Sequence, residues 1–325
     1  MKKIPVYIVT GYLGAGKTSL INSWMHNRPE ERLFIIENEI GKVNIDEQMV
    51  AGKDVDLIGL TAGCICCSLN DELLDVLEEV SARRDSFDRL VIETTGIADP
   101  SSIAAHFIEN ESVSKVFELR AVLTLVDAEN IDFWLKEVKD SSRQISFADM
   151  VLINKIDLVS VEKLQEINLT VGKINPTAEI YAAVQGDFDV SSFIEQKAFS
   201  AELFSERLEV LPAYESVGIH GIKTFTLFFD GFLDLRSLIK DLALFLSVNL
   251  NNVFRIKAVV AVGDYNKRIL LQTVRKSYSM SDGTEWNKGE PIRSSFVFIG
   301  SNLDKEAVDA MIKKHVVVNQ IDVGL

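Results

Sequence analysis

Gly11-Tyr12-Leu13-Gly14-Ala15-Gly16-Lys17-Thr18 fits the pattern G-x-x-x-x-G-K-[ST] at every position. No other feature of the chain restricts its fold as tightly. Such a loop works only when backbone N–H groups curl around an anion and a helix N-terminus points at it, so a strand must precede it and a helix must follow. Both are legible: Ile4–Thr10 is a near-continuous apolar run, and Ser19–His26 has a helical pattern. The expected ligand is a nucleoside triphosphate. Gly11, Gly14, Ala15, Gly16 and Ser19 then surround the phosphates. Lys17 reaches the β- and γ-phosphates as a point charge and is a catalytic candidate, and the Thr18 hydroxyl ligates Mg²⁺.

More strand–helix units follow. Leu33–Glu37, Arg89–Glu93, Ala121–Val126, Met150–Ile153 and Glu179–Val184 are apolar runs of the kind buried on both faces of a parallel sheet, and Leu57–Leu60, ahead of the cysteines, is strand-like. Leu69–Ala82 carries Leu73, Leu74, Leu77 and Val80 at helical spacing. The expected fold is α/β: a doubly wound, mostly parallel sheet of the P-loop GTPase type over residues 1–200. A linker over 201–220, with Pro212 and Gly218, leads to a smaller α+β domain over 221–325. There Gly221–Asp230 alternates, Leu233–Leu246 is helical, and Val253–Val262, Arg268–Tyr278 and Ile292–Gly300 read as strands. Asp304–His315 closes as a helix with Asp304 as N-cap.

Charge supports the division. Residues 1–220 hold 37 acidic and 20 basic side chains, whereas residues 221–325 hold 11 and 14. The net charge of −14 disfavours nucleic acid as a partner. No run of eighteen apolar residues occurs, so no membrane span is expected. The three cysteines, Cys64, Cys66 and Cys67, fall within four residues, unlike a secreted disulfide framework. A reducing, cytoplasmic setting is the expectation.

Asn154-Lys155-Ile156-Asp157 ends the run Met150–Ile153. Guanine offers two donors, N1–H and the 2-amino group, and the Asp157 carboxylate can accept both. Adenine would leave that carboxylate facing a lone pair. The stem of Lys155 can lie along the base. GTP is therefore the expected nucleotide. Glu93-Thr94-Thr95-Gly96 ends another strand, where Glu93 could hold a Mg²⁺ water or orient the attacking one and Gly96 could offer its N–H to the γ-phosphate. Glu37-Asn38-Glu39-Ile40-Gly41-Lys42-Val43-Asn44-Ile45-Asp46 reads either as a switch segment, with Glu37 and Asp46 as metal-shell candidates, or as an ordinary polar loop.

Thiols at i, i+2 and i+3 can converge on one ion, and suit Zn²⁺, Cu(I), Co²⁺ or Ni²⁺. Three of them leave a tetrahedral fourth position open, which suits transfer; His106 is a candidate for it. Redox chemistry and plain burial are the competing readings.

Taken in order, Gly11–Thr18, Glu37–Gly41, Gly63–Cys67, Glu93–Pro100 and Asn154–Asp157 resemble the motifs of CobW-type metallochaperone GTPases, relatives of UreG and HypB. His220-Gly221-Ile222, Val253–Lys257, Trp286 and Phe296–Gly300 resemble landmarks of that family's C-terminal domain. The resemblance implies GTP hydrolysis coupled to metal binding at the C-x-C-C motif, with Mg²⁺ at Thr18. Zn²⁺ is the first expectation for the transition metal, then Co²⁺ or Ni²⁺. It implies delivery to a client metalloprotein or a metal-cofactor assembly enzyme, with a second copy of the chain as a further candidate partner. The alternative is a GTP-controlled protein-interaction switch whose cysteines are structural. The chain departs from the family at Lys42, where many members are acidic, at Ala62 and at Ala258. It also lacks a histidine-rich stretch, which argues against storage of several ions.

Overall fold

A computed structural model describes residues 2–39, 56–61, 69–96, 99–195, 215–217, 221–287 and 289–317. The chain divides into two units: residues 1–172 with 178–198, and residues 173–177 with 199–325.

The first unit is built on a seven-stranded parallel sheet in the order β3-β2-β4-β1-β5-β6-β7. Its strands are β1 (Ile4–Gly11), β2 (Leu33–Glu39), β3 (Asp56–Thr61), β4 (Arg89–Glu93), β5 (Phe117–Asp127), β6 (Met150–Asn154) and β7 (Glu179–Ala182). The helices are α1 (Lys17–Asn27), α2 (Leu69–Ala82), α3 (Pro100–Glu109), α4 (Glu111–Val116), α5 (Ile131–Glu137), α6 (Lys139–Phe147), α7 (Val161–Ile174) and α8 (Ser191–Glu195). The continuous apolar runs have the expected cause. Val6, Ile8 and Val9 on β1 and Leu90 and Val91 on β4 are fully buried, because both faces of the sheet are covered. Leu73, Leu77 and Val80 are the buried stripe of α2. On one side of β1, Trp24 of α1 meets Tyr7 edge-on at 5.2 Å. Asp99 caps α3 by accepting from the Ser101 N–H, with Pro100 in the first helical position.

The second unit is a six-stranded antiparallel sheet in the order β13-β12-β11-β14-β9-β8. It contains β8 (Glu215–Val217), β9 (Ile222–Asp230), β11 (Val253–Val260), β12 (Lys267–Val274), β13 (Ser277–Glu285) and β14 (Arg293–Ser301). A small ribbon pairs β10 (Phe232–Leu233) with β15 (Val316–Val317). Leu238, Leu242 and Leu246 of α9 (Leu235–Val248), with Val308 and Ile312 of α10 (Lys305–Lys313), cover one face through Phe225, Ile256, Phe296 and Phe298. Asp304 does cap α10, accepting from the N–H groups of Glu306 and Ala307.

One sequence expectation needs correcting here. The segment Arg268–Tyr278 is a hairpin: β12 ends at Val274, Arg275 takes φ +53, and β13 returns. On β9 the alternation does not separate an inner from an outer face, since Thr224 and Thr226 are as buried as Phe225 and Leu227. Among the described residues, no helix is long and apolar enough to cross a membrane.

Candidate nucleotide and metal site

All strands of the first sheet run the same way, so their C-terminal ends share one edge, the usual place for a ligand in such sheets. β1 delivers the glycine-rich loop to that edge. Its Lys17 ammonium donates to the carbonyls of Gly11 at 3.0 Å and Tyr12 at 3.4 Å, which ties the lysine across the loop. Gly16 sits at φ +101, and a Cβ there would lie 2.3 Å from Asn154 Nδ2. That position therefore needs glycine for conformation and for space. Ala15 is buried, Gly14 and Ser19 are exposed, and Thr18 is partly exposed.

Glu93 ends β4, beside β1. The Thr18 hydroxyl donates towards its carboxylate, 3.3 Å from one oxygen and 3.5 Å from the other. The next residue prolongs the strand pairing, since the Thr94 N–H donates to the Val9 carbonyl at 2.9 Å and the Thr94 hydroxyl to Thr10 at 2.8 Å. Glu37 on β2 stands at the register position opposite Glu93. Glu37 and Glu93 are both buried, so two carboxylates occupy adjacent strand ends at this edge.

Asn154 ends β6 and works as a buttress. Its amide donates to the Ala15 carbonyl at 2.8 Å and accepts from the Gly186 N–H at 2.8 Å. Lys155 adopts φ +60, and its ammonium pairs with Asp127 at 2.7 Å. Burial pushes the Asp127 carboxyl up, but hydrogen bonds from Lys155 and Asn130 and the lysine charge together hold it below its ordinary value. With its head fixed there, the stem of Lys155 is held in one direction. Asp157 follows in a short 3-10 turn and is exposed.

Three neighbours of these residues carry no sequence motif. Asp127 ends a strand, and that was its only signal. The turn around Gly186 follows β7 and bonds Asn154, but carries no motif. Tyr12 stacks on Trp134 of α5 with ring centres 4.7 Å apart, which brackets the loop from a helix distant in sequence.

Residues 40–55 and 62–68 lie outside the described residues, and with them Lys42, Asp46, Ala62 and the metal candidates Cys64, Cys66 and Cys67. His106 lies in the last turn of α3 and is half-buried. Among the described residues, no three His, Cys, Asp or Glu side chains group to hold a metal ion.

Residues 5–182 match the family model described as CobW/HypB/UreG, nucleotide-binding domain, and residues 222–316 match that of the cobalamin synthesis protein cobW C-terminal domain. The zinc chaperone YjiA of Escherichia coli (strain K12) is 31% identical over 317 residues, covering 95% of this chain and 98% of the relative. The zinc-regulated GTPase metalloprotein activator 1 of Schizosaccharomyces pombe is 37% identical over 207 residues, covering 61% of this chain and 50% of that protein. The crystal structure of Zn(II)-bound YjiA GTPase from E. coli superposes with a TM-score of 0.68 at 25% identity, over 96% of this chain and 98% of that one.

Proposed function

The chain belongs to the CobW/HypB/UreG nucleotide-binding family, with a CobW-type C-terminal domain, and from that membership we propose that it is a GTPase that takes up zinc at Cys64, Cys66 and Cys67 and passes it to a client metalloprotein. Its relatives include a zinc chaperone and a zinc-regulated GTPase activator, which supports zinc over cobalt or nickel as the cargo.

The observation that carries the nucleotide half is the Thr18–Glu93 pair beside Lys17. A hydroxyl and a carboxylate about 3.3 Å apart are hard oxygen donors, which suit Mg²⁺ and not a soft ion. Thr18 would hold that ion directly and Glu93 one of its waters or the attacking water. When bound, Mg²⁺ supplies charge neutralisation of the β- and γ-phosphates. The protein does the rest. Loop N–H groups and the start of α1 bind phosphate oxygens, Lys17 offsets charge on the transferred group, and the Gly96 N–H meets the γ-phosphate. Asp157 accepts from guanine while Lys155, anchored on Asp127, lies along the base.

The strand order supports a link between the nucleotide and the proposed metal motif. β3 runs parallel to β1 with β4 and β2 between them, so its end lies on the same edge, about 14 Å away at the usual strand spacing. The cysteine motif begins just beyond β3. From Glu93 through Glu37 to Thr61, neighbouring strand ends lead from the γ-phosphate side to that motif. A γ-phosphate that orders this edge changes the geometry in which the thiolates meet an ion. Hydrolysis removes the constraint and releases the zinc.

Phosphate release tests the enzymatic half. The protein should release phosphate from GTP without an acceptor and leave ATP intact, and Lys17→Ala should slow turnover by about two orders of magnitude, the usual worth of one preorganised electrostatic partner. Equal turnover of ATP would contradict the guanine reading, and a requirement for a phosphoryl acceptor would instead indicate a kinase or ligase on this fold.

A further inference from the structure

Two neighbouring side chains of α6 reach the turn that follows Glu93. Gln144 Nε2 donates to the Gly96 carbonyl at 3.3 Å, and the Arg143 guanidinium lies 4.0 Å from the Asp99 carboxylate. The two contacts differ in weight. Arg143 and Asp99 are solvated, so their pairing is weak. Gln144 is 1% exposed. A buried amide in a helix–sheet interface is costly unless its hydrogen bonds are made, and a leucine would fill the same space without that cost.

The Cβ direction of Gly96 is confined as well. A Cβ there would lie 2.5 Å from the backbone nitrogen of Leu13. Gly96 therefore occupies a slot between the phosphate loop and α6. The helix is itself pinned. The Thr124 hydroxyl of β5 donates to the Gln144 backbone carbonyl at 3.1 Å, and the Ser141 hydroxyl donates to the Trp134 carbonyl at 3.0 Å. Trp134 is the residue stacked on Tyr12. One platform, α5 with α6, thus bears on the phosphate loop through Trp134 and on Gly96 through Gln144.

We propose that Gln144 is a positioning residue that fixes the Gly96 backbone for the γ-phosphate and so sets how well the site distinguishes GTP from GDP. This rests on the reading of Gly96 as the γ-phosphate contact. Glycine has the freest backbone of any residue, and ordering it on binding costs conformational entropy. A donor on its carbonyl restricts that freedom before the nucleotide arrives, so the triphosphate meets an N–H already aimed. GDP has no γ-phosphate and gains nothing from this.

The full-length chain carrying Gln144→Leu should bind a non-hydrolysable GTP analogue about three- to tenfold more weakly, the worth of one hydrogen bond, with GDP affinity within about twofold of the native value. Its kcat for GTP should fall by a similar factor. Asn110→Ala is the structural control: it removes the N-cap of α4, which accepts from the Ser112 and Val113 N–H groups, and should lower Tm but leave the ratio of analogue to GDP affinity unchanged. Gln144→Glu gives an independent readout. The ionised carboxylate cannot donate to a carbonyl, whereas the protonated acid can, so its ratio should recover towards native as the pH is lowered. An unchanged ratio in Gln144→Leu, an equal loss for both nucleotides, or a ratio in Gln144→Glu that ignores pH overturns the proposal. A native protein that neither binds nor hydrolyses GTP defeats the GTPase reading itself, which is a distinct result.

Discussion

At the scale of single residues, the site is a set of side chains held by partners they do not share with solvent. Asp157 is exposed, and its chemistry is the most open to exchange. Replacing it with asparagine turns one of the two acceptor oxygens that guanine needs into an NH2 donor, which suits the 2-oxo group of xanthine. Asp157→Asn should weaken GTP binding by about 10²-fold or more and improve xanthosine triphosphate, as competition binding would measure. Asn154 is the opposite case. Its two 2.8 Å bonds clamp Ala15 to Gly186, and it is 1% exposed. Asn154→Ala should cost about 2–3 kcal/mol, the loss of two buried hydrogen bonds, seen as a lower denaturant midpoint together with weaker nucleotide binding. Asp127 makes the local stability depend on pH. Its folded value is depressed, so its contribution is complete above the ordinary carboxylate range and is lost as the pH falls through that range and below it. Asp127→Asn should flatten that acid limb, and an acid denaturation series on both proteins would show whether it does.

At the scale of elements, caps and loop geometry carry testable weight. Asp304→Ala removes the acceptor of two N–H groups at the start of α10 and should destabilise the second unit by about 1 kcal/mol, read by chemical denaturation. Much of this level was legible in the sequence. The Leu69–Ala82 periodicity gave α2 its full span, and the phosphate loop gave the β1–α1 unit, because both follow from local pattern. The β12–β13 hairpin was not legible. Its turn holds Arg275 in a left-handed conformation with no glycine, asparagine or proline to mark it. Arg255, Lys257 and Arg268 are buried on strands, where charge usually signals an exposed face. Arg268 is explained by its neighbours: it stacks 4.2 Å over Trp286 and pairs with Glu290. The candidate site divides in the same way. The residues proposed to touch phosphate or base carry motifs, while Asp127, Gln144 and Trp134 contact Lys155, Gly96 and Tyr12 and are found only once the chain is folded.

At the scale of the whole molecule, the question is whether the nucleotide and the thiols share one free energy. The strand order puts the phosphate loop, Glu93, Glu37 and the end of β3 along a single sheet edge, and the account requires that edge to couple them. Coupling is reciprocal: if GTP tightens zinc by some factor, zinc must tighten GTP by the same factor. A coupling free energy of about 1–3 kcal/mol, typical of linked sites, corresponds to about 5- to 150-fold. Replacing Cys64, Cys66 and Cys67 with serine should abolish that linkage while leaving GTP binding in the absence of metal intact. The most direct measurement is a zinc titration of the full-length protein with a non-hydrolysable GTP analogue and again with GDP, with Mg²⁺ in both. Zinc should bind at least about fivefold more tightly with the analogue, and the difference should vanish in the triple serine variant; equal zinc affinities in the two nucleotide states would contradict the coupling.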